Sequence, residues 1–199
     1  MNALPQTILL QAGDALIIVD VQNDFLPGGS LAVPHGDEVL TALNGYIALF
    51  RQAHLPIVAT RDWHPPEHCS FQAQGGPWPP HCVAGSRGVG FAVLLDLPCE
   101  STIISKGTAA DRDAYSGFEG TELDGLLRKA NVTRVFVGGL ATDYCVLNTV
   151  RDALRLGYDA ILLTDAVRAV DVQPGDGERA IDDMLNAGAM VATLTQIRR

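Results

Sequence analysis

The sequence has few basic and aromatic residues, few cysteines and no long apolar run. Lys and Arg number 14 against 23 Asp and Glu, giving a net charge of −9 that argues against nucleic acid or an anionic membrane surface as a partner. No apolar stretch is long enough to cross a bilayer. The N-terminus lacks the basic region, apolar core and cleavage site of a secretory signal, so we expect a cytoplasmic location.

The cysteine content is low and has no motif spacing. The four cysteines are Cys69, Cys82, Cys99 and Cys145. Because none of them forms a CxxC pair, a cysteine-rich zinc site and a thioredoxin-type motif are both excluded. Reduced thiols fit the expected location, while a disulfide between Cys69 and Cys82 stays open at this point.

The composition and the apolar pattern are those of a well-packed α/β protein, with 47% hydrophobic and 19% charged residues. A length of 199 residues predicts one domain, 1–199. The predicted strands are 15–19, 56–60, 102–105, 134–137, 160–164 and 190–194. The predicted helices are 37–53, 122–129, about 145–156 and 177–187. This alternation predicts a three-layer α/β/α sandwich around a six-stranded, mainly parallel sheet of Rossmann-like type.

Residues 138–145 join a buried strand to a helix and place Cys145 in the first helical turn. Unpaired N–H groups and the positive end of the helix dipole favour a thiolate there, and the same N–H groups can hold an oxyanion. Free cysteines are nevertheless often small buried hydrophobes. Both interpretations of Cys145 therefore stay open on this stretch alone.

Two further polar residues, Asp20 and Lys106, follow the carboxyl ends of predicted strands. Ligands bind at that edge of an open parallel sheet. A carboxylate beside a thiol can act as a general base, and a cation there lowers the pKa of the thiol. The alternatives are a turn-forming role for Asp20 and an ordinary surface position for Lys106.

A long irregular segment, residues 62–90, carries Asp62 and the histidines His64, His68 and His81. In extended backbone Asp62 and His64 face the same side, and His81 adds a third candidate ligand. One carboxylate with two or three imidazoles suits one divalent ion, with zinc, iron and manganese as candidates. A surface loop with incidental histidines is the alternative.

Aromatic side chains accompany these groups, because Phe25, Trp78 and Tyr115 lie in loops at the same predicted edge. They can stack on a flat aromatic ligand, or they can simply pack the long loops. Nothing in the sequence around each residue separates these two roles.

The assembled segments resemble the nicotinamidase/pyrazinamidases of the isochorismatase-like cysteine hydrolases. The resemblance covers about residues 15–194, and the motifs occur in the order of that family. The matching segments are VDVQNDF (19–25), DWHP (62–65), WPPHCV (78–83), KG (106–107), YSGF (115–118) and GLATDYCV (139–146).

The resemblance implies a role for each matched residue. The implied catalytic triad is Asp20, Lys106 and Cys145. The implied oxyanion hole is formed by the N–H groups of Ala141 and Cys145, after a cis peptide between Leu140 and Ala141. The implied metal ligands are Asp62, His64 and His81, with His68 at a position that some members also use. The implied substrate contacts are Phe25, Trp78, Tyr115 and Leu140.

The resemblance also implies the reaction, which is hydrolysis of nicotinamide, and of pyrazinamide, through a Cys145 thioester. It implies one divalent ion, with zinc expected first and iron or manganese as alternatives, and a place in NAD salvage. The expected partner is a small-molecule amide, and the oligomeric state is not indicated. The alternatives are an amidase for carbamoyl or ureido compounds, a non-catalytic metal-binding protein of this fold and a thiol-redox protein.

Overall fold

The structure, a computed structural model, describes residues 7–199. Within that range the strands are β1 (Ile8–Leu9), β2 (Asp14–Val19), β3 (Ile57–Asp62), β4 (Thr102–Lys106), β5 (Arg134–Leu140), β6 (Asp159–Arg168), β7 (Met190–Ala192) and β8 (Ile197–Arg198). The helices are α1 (Val39–Gln52), α2 (Leu123–Lys129), α3 (Leu147–Arg155) and α4 (Asp176–Asn186). None of these helices is long and apolar enough to span a membrane.

Strands β2 to β7 form one sheet in the order β4-β3-β2-β5-β6-β7, and every neighbouring pair is parallel. The predicted six-stranded sheet is confirmed. The strand order reverses between β2 and β5, and such a switch point opens a crevice at the carboxyl ends of the strands. The chain segments that leave these two strands carry Asp20 and Cys145, so both residues lie at the crevice.

Helices cover both faces of the sheet, and β2 shows why the sequence requires this arrangement. Every residue of β2 is buried, and its alternate side chains enter two different apolar clusters. Leu16 and Ile18 pack with residues of α1, whereas Ile17 and Val19 pack with residues of α2, α3 and α4. A strand that is apolar on both faces needs a layer on each side, which gives the predicted three layers.

Two short strands at the chain ends, β1 and β8, lie outside the predicted strands. Residues 1–6 lie outside the described residues, but β1 pairs in parallel with β8 in a separate two-stranded sheet. This pairing joins segments almost a whole chain length apart, so a local sequence pattern does not predict it. Strand β6 also extends beyond the predicted 160–164, and β5 shifts register against it between Val137 and Gly139.

The long segment 62–90 is irregular, as predicted, and it is fixed by hydrogen bonds from the turn after β2. The Gln22 side chain accepts the N–H of Asp62 at 2.8 Å and donates to the carbonyls of Asp62 and Val89 at 2.8 and 2.9 Å. Asp24 Oδ2 accepts the N–H of Cys82 at 2.7 Å. The segment is thereby held beside the crevice. Cys82 and Cys69 are both free thiols.

Candidate active site

Three strand ends bring Asp20, Lys106 and Cys145 into one buried cluster. Lys106 Nζ lies 2.8 Å from Asp20 Oδ2 and 3.3 Å from Cys145 Sγ. It also donates to Asp62 Oδ1 at 2.5 Å and to the Ala114 carbonyl at 3.3 Å. The structure therefore brings Asp20, Lys106 and Cys145 together at the carboxyl edge of the sheet. Their catalytic roles remain predictions.

Close approach of β2 and β5 makes this cluster compact. A Cβ on Gly139 would lie 2.1 Å from the Val19 carbonyl oxygen, and Gly139 has a φ of +123°. Only glycine fits such a position without displacing the neighbouring strand. Asp20, directly after β2, has a φ of 49°, so the chain turns sharply at the point where its carboxylate faces Lys106.

Cys145 lies in a π-helical turn, Thr142–Val146, that precedes α3. The sequence predicts the first turn of an α-helix, so the turn type differs from the prediction. The Leu140–Ala141 peptide bond is cis, as the resemblance implies. The Ala141 carbonyl accepts the N–H groups of Tyr144 and Val146, both at 3.1 Å. Such π turns occur frequently at functional sites.

Burial and the neighbouring opposite charges shift the pKa values of the cluster in opposite directions. Burial raises the pKa of the Cys145 thiol well above its usual value, and the Lys106 ammonium opposes that rise without reversing it. Burial also raises the pKa of the Asp20 carboxyl, again against the ammonium. Burial alone would lower the pKa of Lys106, but the Asp20 and Asp62 carboxylates hold it well above its usual value.

The net effect on the thiol is opposite to the one expected from Lys106 as a neighbouring cation. The expectation considered the cation alone, whereas the structure removes water from the sulfur and adds two carboxylates near it. Burial therefore favours the protonated form of the Cys145 thiol. An ionised Asp20 beside it can accept that proton.

Next to this cluster, Asp62, His64 and His81 place one ligand atom each within 4.8 Å of one another. Nδ1 of His64 lies 2.9 Å from the Gly107 carbonyl, and Nδ1 of His81 lies 2.8 Å from the Pro79 carbonyl. A carbonyl only accepts, so each Nδ1 carries the hydrogen, and in the neutral imidazole each Nε2 then keeps a lone pair. This second-shell pattern is typical of metal-binding histidines.

His68 is the remaining predicted ligand, and the structure leaves it outside that group. Its ring stacks on His64 with the ring centres 4.0 Å apart. Nδ1 of His68 lies 2.7 Å from Ser70 Oγ, and Nε2 lies 3.2 Å from the Arg112 carbonyl. Both ring nitrogens thus have protein partners, and His68 supports the His64 ring.

An apolar cleft opens beside the nucleophile and the candidate metal ligands. The cleft is lined by Phe25, Leu31, Val33, Asp62, Trp78, His81, Tyr115, Ala141, Tyr144, Cys145 and Val170. The predicted Phe25, Trp78 and Tyr115 are all present in this lining. Leu140 is not, because its side chain is fully buried in the cluster on the α1 side.

Sequence reasoning missed four residues of this lining, which are Leu31, Val33, Tyr144 and Val170. Tyr144 contacts Trp78 edge to face with ring centres 5.1 Å apart, and Trp78 Nε1 donates to Tyr115 Oη at 3.0 Å. Tyr144 directly precedes Cys145, and this proximity was a usable signal. Val170 lies in a loop after β6 and carries no local signal.

This fold and site are those of a cysteine hydrolase of the isochorismatase type. The chain belongs to the isochorismatase family, because the family model described as "Isochorismatase domain" matches residues 14–196. It is 39% identical to the nicotinamidase of Escherichia coli over 90% of this chain and 94% of that protein.

Two solved structures support the same grouping. The pyrazinamidase of Pyrococcus horikoshii in complex with zinc is 49% identical, with a TM-score of 0.87 over 91% of this chain and 99% of that one. PnC1 from L. infantum in complex with nicotinate is 37% identical, with a TM-score of 0.89 over 96% of this chain and 98% of that one.

Proposed function

We propose that the protein is a metal-containing cysteine amidohydrolase that converts nicotinamide to nicotinate and ammonia, and pyrazinamide to pyrazinoate. The observation that carries this proposal is one apolar cleft lined jointly by Cys145, by the candidate metal ligands Asp62 and His81, and by aromatic walls. The relatives named nicotinamidase and pyrazinamidase support it. The reaction assigns the protein to the recycling of nicotinamide.

Asp62, His64 and His81 would hold one divalent ion. One carboxylate and two imidazole Nε2 atoms with free lone pairs suit zinc, iron or manganese and leave coordination positions open. We expect zinc first, because zinc is bound in the P. horikoshii relative. When bound, the ion supplies an electrophilic position beside the cleft that orients a ring nitrogen of the substrate.

The chemistry on the amide belongs to Cys145 and Asp20. Asp20 takes the thiol proton, and the Cys145 sulfur attacks the amide carbon. The N–H groups of Ala141 and Cys145 stabilise the oxyanion, and one such donor is typically worth roughly 3–4 kcal/mol. Asp20 then gives its proton to the leaving ammonia. Water cleaves the thioester, which releases the acid and restores the thiol. The Lys106 ammonium stabilises the negative charge on Asp20 or Cys145 throughout these steps.

The walls of the cleft favour a flat ring over a polar chain. Trp78, Tyr115 and Tyr144 form one connected aromatic surface, and Phe25 packs against His81 with ring centres 5.7 Å apart. A carbamoyl or ureido substrate would leave its polar groups without partners among these side chains. An ion held by Asp62, His64 and His81 would also bind a pyridine or pyrazine nitrogen. A carbamoyl or ureido compound has no such ring nitrogen.

The test is ammonia release from nicotinamide, pyrazinamide and an N-carbamoyl amino acid, on protein of measured metal content. We expect turnover of both ring amides and no turnover of the carbamoyl compound. Cys145→Ala is expected to abolish ammonia release while metal content stays unchanged. Activity retained in this variant, or preference for the carbamoyl compound, would refute the proposal.

A matched pair of histidine variants tests the ligand set. His64→Ala is expected to lose the metal, because it removes a ligand. His68→Gln is expected to keep it, because the His68 ring nitrogens are engaged with Ser70 and the Arg112 carbonyl. Equal metal loss in both variants would contradict the three-residue set.

A further inference from the structure

The loop after β6, residues 169–175, supplies one wall of the cleft through Val170. This wall stands apart from the proposed chemistry, because Val170 contributes no polar group to it. Its position nevertheless decides how much room a ring bound beside Cys145 has. What holds Val170 in place therefore affects which rings fit.

Asp143 makes the contact that holds this loop. It lies two residues before Cys145 in the same π-helical turn, and the proposed mechanism gives it no task. Its Oδ1 accepts the N–H of Val170 and its Oδ2 accepts the N–H of Asp171, both at 2.9 Å. Hydrogen bonds to an ionised carboxylate are stronger than neutral ones. The turn that carries Cys145 is thus hydrogen-bonded directly to the loop that forms this wall of the cleft.

The far side of the loop is tied as well, to the first turn of α4. Asp171 has a left-handed φ of 53°, and its Oδ1 accepts the N–H of Gly177 at 2.8 Å. Asp176 Oδ2 accepts the N–H of Gln173 at 2.7 Å. The segment is therefore braced from two sides, and Asp143 is the brace on the side of the cleft.

We propose that Asp143 is a positioning residue, which fixes Val170 as a wall of the cleft and so sets which ring substituents the enzyme accepts. The selectivity part of this inference rests on the proposed function. Asp143 acts through the backbone of the loop and does not touch the substrate. Its removal is expected to widen the cleft without disabling the nucleophile.

Amide hydrogen exchange on the metal-loaded protein tests the tie itself. In Asp143→Ala, exchange at Val170 and Asp171 is expected to speed up by about tenfold or more, as the loss of a charged hydrogen-bond acceptor implies. Asp143→Asn keeps one acceptor oxygen and is expected to be intermediate. Asp182→Asn, an exposed carboxylate on α4, is the matched control and is expected to leave both amides unchanged.

Kinetics with two substrates test the selectivity. The ratio of kcat/KM for 6-methylnicotinamide to that for nicotinamide is expected to rise about fivefold or more in Asp143→Ala, as well as in Val170→Ala, in the range that one methyl group is worth in an apolar pocket. KM for nicotinamide is expected to change more than kcat. Because both variants act on one wall, the double variant is expected to show less than the product of the two effects.

Several results overturn the inference. Unchanged amide exchange at Val170 and Asp171 in either folded Asp143 variant would show that Asp143 does not hold the loop. An unchanged substrate ratio, with both substrates slowed equally, would leave only a general structural role. If the unaltered protein released no ammonia from nicotinamide, the proposed function would fail, whereas the exchange experiment would still decide whether Asp143 holds the loop.

Discussion

Replacing Lys106 by Met is the most informative perturbation of the buried cluster. The Lys106 side chain is completely buried, with its ammonium 2.8 Å from Asp20 and 2.5 Å from Asp62. Met fills the space of the aliphatic stem but removes the charge, so two buried carboxylates lose their shared partner. Removing one member of a buried ion pair costs about 3–5 kcal/mol of unfolding free energy.

Protonation of the Asp20 carboxyl gives a second estimate of the stability that Lys106→Met loses. Without Lys106 the Asp20 carboxyl takes up a proton rather than remain charged in the core. Neutralising a carboxyl whose ordinary pKa is about 3.9 costs about 4 kcal/mol at pH 7, so the penalty saturates near that value. Asp20→Asn combined with Lys106→Met removes the ammonium and one of the two carboxylates, so only Asp62 lacks its partner, and this double variant is expected to regain part of the lost stability. Neither variant is expected to release ammonia.

The assay is urea unfolding of the metal-loaded protein at pH 7, followed by tryptophan fluorescence, together with ammonia release. The expected order of unfolding free energy is the unaltered protein, then the double variant, then Lys106→Met. Lys129→Met, at an exposed position, is the control and is expected to unfold with the unaltered protein. The reasoning fails if Lys106→Met lies within about 1 kcal/mol of the unaltered protein, below the range for a broken buried pair. It also fails if the double variant is the least stable.

Three further predictions follow from single contacts. Thr60→Val removes the 2.6 Å hydrogen bond to Asp20 and is expected to lower kcat/KM about 10–100-fold, with recovery in Thr60→Ser. Gly107→Ala places a Cβ 2.5 Å from His64 Cε1 and is expected to weaken metal affinity about 10–100-fold in a chelator competition. Burial raises the pKa of the Tyr46 phenol, so the folded state holds its proton where the unfolded state loses it, and stability falls above pH 10. Tyr46→Phe is expected to flatten that fall by about 1.4 kcal/mol per pH unit in alkaline urea unfolding.

The sheet and most of the site were predictable because they depend on patterns among residues that are close together in the sequence. An apolar run ending in a polar residue predicts both a strand and a side chain at its carboxyl end, as at Asp20 and Lys106. Alternation along extended backbone placed Asp62 and His64 on one side, and these residues do meet. The same reasoning has no access to Val170, which lines the cleft from a loop hydrogen-bonded to Asp143, 27 residues away in the sequence.

Leu140 belongs to β5, which continues past the predicted strand 134–137. In β5 the period of two puts Leu140 on the same face as Phe136, and both belong to the cluster on the α1 side. Because the predicted strand ends at residue 137, this pattern was not extended to Leu140, and its contact with substrate was expected from the resemblance alone. His68 is different, because the partners of its ring nitrogens, Ser70 and the Arg112 carbonyl, depend on how two loops meet.

Conservation of charge in the buried cluster favours proton transfer from Cys145 to Asp20 over release of the proton to water. Around Lys106 the resting cluster holds two carboxylates and one ammonium, an excess of one negative charge. Losing the thiol proton to solvent would add a second negative charge to this buried site, which burial strongly opposes. Moving the proton from Cys145 to Asp20 leaves the charge of the cluster unchanged. Burial raises the pKa of both groups, so the rise at the acceptor Asp20 offsets part of the rise at the donor Cys145.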